Sequence, residues 1–374
     1  MNVPDMLEKA AQKRLEELEG IHRRRRLSII PQGFDDFSSN DYLGLKRHPS
    51  LIETAIDWTR RFGVGSGASR LAGGTKEEYL RVETKLAQFK RQEAALIFNS
   101  GFQLNATIIP ALVELYDPAI FADRLIHRSL HDGIALSQKK QNRFRHNDLN
   151  HLKDLLKKEA APHKLIVTES IFSMDGDAAP LKELLVLAHQ YGATLYIDEA
   201  HATGLFGEEG RGLATGLDGD VIVMGTLGKA LGAFGAYIAG PKLLIDYFIN
   251  RASGFIYSTA LPPSCYGVLD RALDLVPVMD KERLLVQDCA ARLRNELRDK
   301  GIATGNSISQ IVPGILGEEE NLMAAQAHFA ENKIFVPAIR PPTVPTGSAR
   351  LRFSLNASHT DQMIEHLFDI IRGL

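Results

Sequence analysis

The chain has 374 residues, 44% hydrophobic and 24% charged, a balance that excludes a disordered protein and allows one large α/β domain with a smaller companion. A net charge of -2 supplies no overall pull toward nucleic acid or an anionic membrane, so any partner must be recognised locally. Only two cysteines, Cys265 and Cys289, are present; they are too few for a disulfide framework and lack zinc-ligand spacing, which places the protein by expectation in a reducing, cytoplasmic setting.

In chain order, the first residues carry acidic side chains and no apolar stretch of signal-peptide length, so secretion is not expected. Residues 5–19 read as a polar helix. The run Arg23-Arg24-Arg25-Arg26 that follows reads as a solvated face, since the acidic helix before it argues against a nucleic-acid patch. Thr75-Lys-Glu-Glu78 has the spacing of a capping box, and Tyr79, Val82, Leu86 and Phe89 continue it as an amphipathic helix. Ala94–Phe98 and Pro118–Asp123 read as strands, the first ending at Asn99-Ser100-Gly101-Phe102 and the second leading to His127. Lys164–Ser170 is a third strand, opening into Ile171-Phe-Ser173-Met-Asp175-Gly176-Asp177. Pro180 then starts a helix with Leu181, Leu184, Leu185 and Ala188 at helical spacing, and Gly192 closes it. Thr194–Asp198 is the next strand, with Glu199 and His201 just beyond it, and Val221–Met224 delivers Lys229 into the glycine-rich turn Gly225–Gly232. The long apolar region from Val221 to Ile245 is interrupted by glycines, Lys229, Pro241 and Lys242, so no membrane span is expected. After residue 275 the pattern changes to charged helices between Asp280 and Lys300, a proline-rich run at Ile339–Pro345, a strand at Arg350–Leu355 and a closing helix. The expected division is an N-terminal helix and arm (1–39), a large domain (40–275) and a small C-terminal domain (276–374).

Strand, helix, strand is a crossover, and crossovers join parallel neighbours whose carboxyl ends form the ligand edge of an open sheet. Ser173, Asp198, His201 and Lys229 should therefore converge. Lysine is costly to bury unless it is paired or deprotonated, so a lysine among glycines and apolar residues reads as a tuned amine able to form a Schiff base. Standing alone it would read as a surface residue in a strand-to-helix loop.

Five segments together, Ser38–Leu45, Phe172–Asp177, Asp198–His201, Gly225–Lys229 and Tyr257–Pro263, resemble the α-oxoamine synthases. These are pyridoxal-phosphate enzymes of fold type I, the aspartate-aminotransferase-like fold, with a large domain built on a mainly parallel sheet and a smaller α+β domain. The likeness runs from about Asp36 to His359. It implies pyridoxal 5'-phosphate as cofactor, Lys229 as its covalent anchor and general base, and Asp198 as partner of the pyridine nitrogen. It implies His201 at the phenolic oxygen, with Ser173 at the same edge, and His127 stacked on the ring and near the incoming carbonyl. Gly101 and Phe102 would offer N–H groups to the phosphate, Thr226 a hydroxyl, and Thr259 would contribute from the other subunit of a homodimer. Arg352 would clamp the amino acid's carboxylate, with Arg340 and Asn40 as further substrate contacts. Ile339–Pro345 and Ala349–Arg352 point within the family to L-alanine and a pimeloyl thioester, carried by coenzyme A or acyl carrier protein. The far carboxylate of that acyl chain needs a cation, which the run beginning at Arg23 would supply. Glycine with acetyl-coenzyme A is the alternative pair. A histidine usually stands where Tyr79 is found, so no role passes to that position.

Asp198-Glu-Ala-His201 also spells a DEAH-box ATPase motif, but the phosphate loop that such a motor needs is missing, since Gly228-Lys229 is followed by Ala230 and preceded at the required position by Val223. Gly63-Val-Gly-Ser-Gly67 follows no strand and does not make a dinucleotide site. Asp198, His201 and His127 could be drawn together as a metal site, yet no ligand spacing selects them.

Overall fold

The computed structural model describes residues 3–373. Its strands are β1 (Asp35–Asp36), β2 (Ala94–Phe98), β3 (Ala119–Asp123), β4 (Gln141–Phe144), β5 (Lys164–Glu169), β6 (Ala193–Asp198), β7 (Val221–Thr226), β8 (Ala236–Gly240), β9 (Ile311–Gly317), β10 (Ile334–Phe335), β11 (Ala338–Ile339) and β12 (Ala349–Ser354). Seven of them form the main sheet in the order β2-β8-β7-β6-β5-β3-β4. Every neighbouring pair is parallel except the two that β8 makes. β5 and β6 are buried along nearly their whole length, as continuous apolar runs flanked by helices on both faces must be.

The crossover between β5 and β6 follows the sequence reading: the helix Leu181–Tyr191 starts after Pro180 and ends on Gly192 at φ 60, a left-handed position that favours glycine. One local expectation fails. The helix at Glu77–Phe89 has Lys76 at its N-cap without a side-chain bond, because the Thr75 hydroxyl is taken by Arg70, donating to its carbonyl and accepting from its Nε. A buried arginine with five donors outcompetes the helix for that oxygen, so the capping box does not form.

β11, β12 and β9 make a three-stranded antiparallel sheet beside the long helix Asp280–Asp299 and the closing helix Asp361–Arg372, while β1 pairs in parallel with β10. The end of the arm is thereby stitched to the C-terminal part of the chain. One apolar core runs from Tyr79, Leu86 and Tyr237 on a face of the main sheet through Tyr42 and Leu269 to Leu293, Phe353 and Leu367. A second core takes the other face at β8 and both faces of β5 and β6, around Leu104, Ile166, Leu195 and Ile238. No helix among the described residues is long and apolar enough to cross a membrane.

Candidate active site

Parallel strands β5, β6 and β7 end side by side at Glu169, Asp198 and Thr226, and the glycine turn after β7 brings Lys229 over the same edge. Gly232 closes that turn at φ +61, and a Cβ there would stand 2.6 Å from the Cβ of Leu45. Only glycine lets the turn press against the segment that carries Asn40 and Tyr42.

Lys229 Nζ lies 2.9 Å from His201 Nε2. Tyr42 donates its hydroxyl to Asn40 Oδ1 at 3.0 Å and lies 2.6 Å from His201 Nδ1, so Nδ1 carries the ring proton and Nε2 turns its lone pair to the lysine. Burial holds His201 far below the usual histidine pKa, with Lys229 and Arg352 adding to the effect, and the ring is neutral. Burial also pulls Lys229 down to about 8, despite the opposing pull of Asp198.

Asp198 is buried, and that burial pushes its carboxyl upward against the counter-pull of Lys229 and the Ala200 N–H. Oδ1 accepts from Ala200 N at 2.9 Å, whereas Oδ2 has only a long contact, 3.4 Å, from Asn105 Nδ2. Asn105 is itself fixed by the Tyr196 hydroxyl at 2.8 Å and by Ser129 Oγ at 3.0 Å. Ser129 Oγ also meets His127 Nδ1 at 2.8 Å, so a single chain of bonds aligns His127, Asn105 and Asp198. His127 caps the helix Arg128–Leu136 and leaves its ring exposed, while the protein around it presses its pKa below the ordinary value. Glu169 sits in register with Asp198; burial and that neighbouring carboxylate push it well above the usual range, and its Oε1 has no hydrogen-bond partner among the described residues. Of the two carboxyls, Glu169 is pushed further toward its neutral form.

Gly101 and Phe102 open a helix that runs to Tyr116. Ser100 Oγ caps only the Gln103 N–H, so among the described residues the first two N–H groups have no partner and are open to an anion. Thr226 is half-buried at the end of β7, its hydroxyl donating to the Gly235 carbonyl at 3.1 Å. Thr259 is exposed, and its carbonyl accepts from Asn99 Nδ2 at 2.9 Å beside that helix start. Ser173 is buried, and its carbonyl accepts from Arg352 Nε at 2.6 Å. Arg352 Nη1 binds Ser354 Oγ and Asn40 Oδ1 at 2.7 and 3.2 Å, which leaves Nη2 without a protein partner among the described residues.

Two further residues expected at the substrate lie apart from the cluster around Lys229. Arg23 is held by Glu319 at 2.7 Å, and Arg340 donates to the Arg24 carbonyl and to Met323 Sδ, so neither reaches the cluster around Lys229. An arginine so close to a carboxylate takes the nearest counter-charge, which the sequence could not reveal because the two are 296 residues apart. Tyr79 stacks on Tyr266 with ring centroids 3.7 Å apart, a packing role. Tyr42, Asn105 and Glu169 were not singled out as site residues from the sequence. The available signal was Asn105, an amide set in the buried stripe of an otherwise apolar helix, where an unpaired polar group would be costly. Among the described residues no group of three or more His, Cys, Asp or Glu side chains is placed to hold a metal ion.

The chain is similar to known proteins over almost its full length. An 8-amino-7-oxononanoate synthase of Gluconacetobacter diazotrophicus is 48% identical over 379 residues, 96% of this chain and 95% of that protein. One from Geobacter sulfurreducens is 48% identical over 87% of this chain and 85% of its own length. Among solved structures, serine palmitoyltransferase from S. paucimobilis with a bound PLP-myriocin aldimine superposes with a TM-score of 0.91 at 26% identity, covering 100% of this chain and 98% of that one. The 8-amino-7-oxononanoate synthase of Francisella tularensis gives 0.79 at 29% identity, covering 92% and 98%. The fold is thus that of the fold-type-I pyridoxal-phosphate enzymes. With the family profile matching residues 35–371, the chain belongs to aminotransferase class I and II.

Proposed function

We propose that the protein is a pyridoxal 5'-phosphate-dependent acyltransferase that condenses L-alanine with a pimeloyl thioester, giving 8-amino-7-oxononanoate, carbon dioxide and free thiol, a step of biotin biosynthesis. The observation that carries this reading is the amine of Lys229, drawn down to about 8 beside a neutral His201 and across from buried Asp198, in a chain with full-length relatives of that name.

The residues present fit the cofactor. Gly101 and Phe102 offer uncapped N–H groups for a phosphate, Asp198 Oδ2 is short of donors, and Lys229 supplies a reactive amine. When bound, pyridoxal 5'-phosphate supplies a carbonyl for an amine and a ring that accepts an electron pair. Asp198 would hold the cofactor's ring nitrogen and keep it protonated, and Asn105 stops the Asp198 carboxylate from turning away. His127 presents its exposed ring as a stacking face. Lys229 takes the proton from the amino acid's Cα as general base, and His201 remains neutral and withdraws no proton from it. Arg352 offers its free Nη2 to the amino acid's carboxylate. Because its other nitrogens are fixed by Ser173, Ser354 and Asn40, that grip is pre-oriented. Thr259 stands exposed next to Tyr257, which is 85% exposed, and Phe102, 52% exposed; a second copy of the chain covering this face would complete the phosphate site in a homodimer.

Lys229→Ala should lose both turnover and the visible absorbance of the bound cofactor, and borohydride reduction should label no other lysine. Labelling of another lysine with retained absorbance would refute the anchor. Thiol release from pimeloyl-coenzyme A with L-alanine should exceed that from acetyl-coenzyme A with glycine. The reverse order would move the protein to the glycine-using members while leaving the Lys229 chemistry intact.

A further inference from the structure

Glu199 stands between Asp198 and His201 and takes no part in the chemistry of that edge, yet it is fully buried, and so is the cation that faces it. Lys90, at the end of the helix Glu77–Phe89, puts its Nζ 2.7 Å from Glu199 Oε2 and donates also to the Arg211 carbonyl. The Tyr237 ring lies 5.6 Å from the same ammonium, and the Tyr237 hydroxyl meets Thr203 Oγ1 at 2.7 Å. Burial opposes the charge on Lys90, but Glu199 and Tyr237 outweigh it and raise its pKa above the ordinary lysine value. Glu199 Oε1 accepts from Ala214 N at 2.7 Å, so both carboxylate oxygens are engaged. The Glu199 backbone is held as firmly: its N–H donates to the Met224 carbonyl at 2.8 Å, and its carbonyl accepts from Ala202 N at 3.0 Å and Thr203 N at 2.9 Å. Those bonds close the turn that carries His201. Gly212, at φ +102, packs so near that a Cβ there would stand 2.2 Å from Glu199 Oε2, so the carboxylate has no room to swing. A buried ion pair is a weak source of stability, because desolvation offsets its attraction and an apolar pair of like volume is often as stable. What this pair supplies is direction, since it ties the turn after β6 to a helix end and to the loop at Arg211 to Ala214.

We infer that Lys90 and Glu199 are positioning residues for the reactive edge: they fix the turn in which His201 keeps Nδ1 at 2.6 Å from the Tyr42 hydroxyl and Nε2 at 2.9 Å from Lys229. Their own listed bonds go to each other, to Arg211 and to Ala214, so among the described residues they act on His201 through the turn and not by contact. If the turn slackens, Nδ1 loses the Tyr42 oxygen that selects its proton, and the ring can turn a proton instead of a lone pair toward the lysine. The inference rests on the acyltransferase reading only for its effect on turnover.

The test compares the full chain with two variants. Glu199→Gln keeps the volume but has one acceptor oxygen for both Lys90 and Ala214. Lys90→Met/Glu199→Gln leaves no unpaired charge buried and loses the bond to the Arg211 carbonyl, so it gives the same decision should the single variant fail to fold. Nitrogen NMR of histidine-labelled protein without cofactor reads the His201 tautomer with no turnover needed, and His201→Asn identifies its signals. In each folded variant, on the order of a third or more of His201 should pass to the Nε2–H form, and kcat of the holoenzyme should fall on the order of tenfold while KM for alanine and for the acyl donor holds within about twofold. A changed tautomer with kcat unchanged would leave the inference standing and count against the acyltransferase reading. A His201 tautomer unchanged in every folded variant would overturn the inference whatever happens to kcat, since loss of folded protein alone also lowers kcat.

Discussion

Asp198 and Lys229 are tuned by the same burial in opposite senses: the carboxyl is pushed up and the amine down, each toward its neutral form. Their mutual attraction works against this, and for Lys229 burial wins. The consequence is measurable. Capture of an aldehyde requires the neutral amine, whose fraction rises with pH through about 8 and is nearly complete one unit above. Uptake of pyridoxal phosphate by cofactor-stripped protein, followed by absorbance, should therefore accelerate through pH 8 and level off; an unperturbed lysine near 10.4 would still be gaining about tenfold per unit at pH 9. A midpoint near 10 would contradict the burial argument. Asp198→Asn keeps the shape but removes the anion and, with one acceptor oxygen in place of two, gives up one of the contacts from Ala200 N and Asn105 Nδ2. Cofactor absorbance should persist, and exchange of the alanine α-proton in deuterated water should fall by about two orders of magnitude or more. Near-normal exchange would remove the electron-sink role from this residue.

The loop from Phe172 to Asp177 joins the two sheets. On its small-sheet side, Asp175 meets Arg350 at 2.7 Å, the Ser173 carbonyl holds Arg352, and the Gly176 carbonyl accepts from Ile308 and Ser309. Gly176 sits at φ +67, with the Ile311 carbonyl 2.0 Å from where a Cβ would be, so no other residue fits. Across the main sheet, His146 bridges Asp123 at 3.0 Å and Asp177 at 2.8 Å. Burial opposes its charge, but the two carboxylates outweigh it and push the ring up to about 10. The loop is thus clamped from both sides, and Arg352 inherits its position. Asp175→Asn should loosen that position without touching the cofactor: KM for alanine should rise several-fold while cofactor absorbance and KM for the acyl donor hold. If all three move together, the loop acts on overall stability instead.

At the scale of the whole molecule, the exposed Thr259, Tyr257 and Phe102 lie together beside the helix start that offers its N–H groups. A dimer that buries this face would place one subunit's Thr259 at the other's phosphate. Lys229→Ala and Thr259→Ala subunits, each impaired alone, should then regain part of the activity on mixing, since a hybrid carries one site free of both lesions. Additive activities with no gain on mixing, or a fully active monomer in sedimentation, would reject the shared site.

The strands carrying the chemistry were legible because a run such as Leu195-Tyr-Ile-Asp198 states its own burial: the apolar stretch fixes the strand, and the polar residue at its end fixes the edge. Lys229, Asp198 and His201 were nameable for that reason, together with the family likeness, and Arg352, inside β12, from the likeness alone. Contacts made between segments far apart in sequence were not legible. Thr75 has capping-box spacing, yet Arg70 takes its hydroxyl; Arg23 reads as a free cation, yet Glu319 neutralises it. Tyr42, which sets the His201 tautomer, and Asn105, which steadies Asp198, gain their meaning only from partners 159 and 93 residues away. The sequence by itself determined the parallel sheet, its reactive edge and the residue types gathered there, since periodicity and strand-end chemistry are local. Only the tertiary structure decided which charges are paired, which nitrogen of His201 carries its proton and which arginines remain free, because a hydrogen bond or ion pair is settled by proximity and burial, and neither follows from separation along the chain.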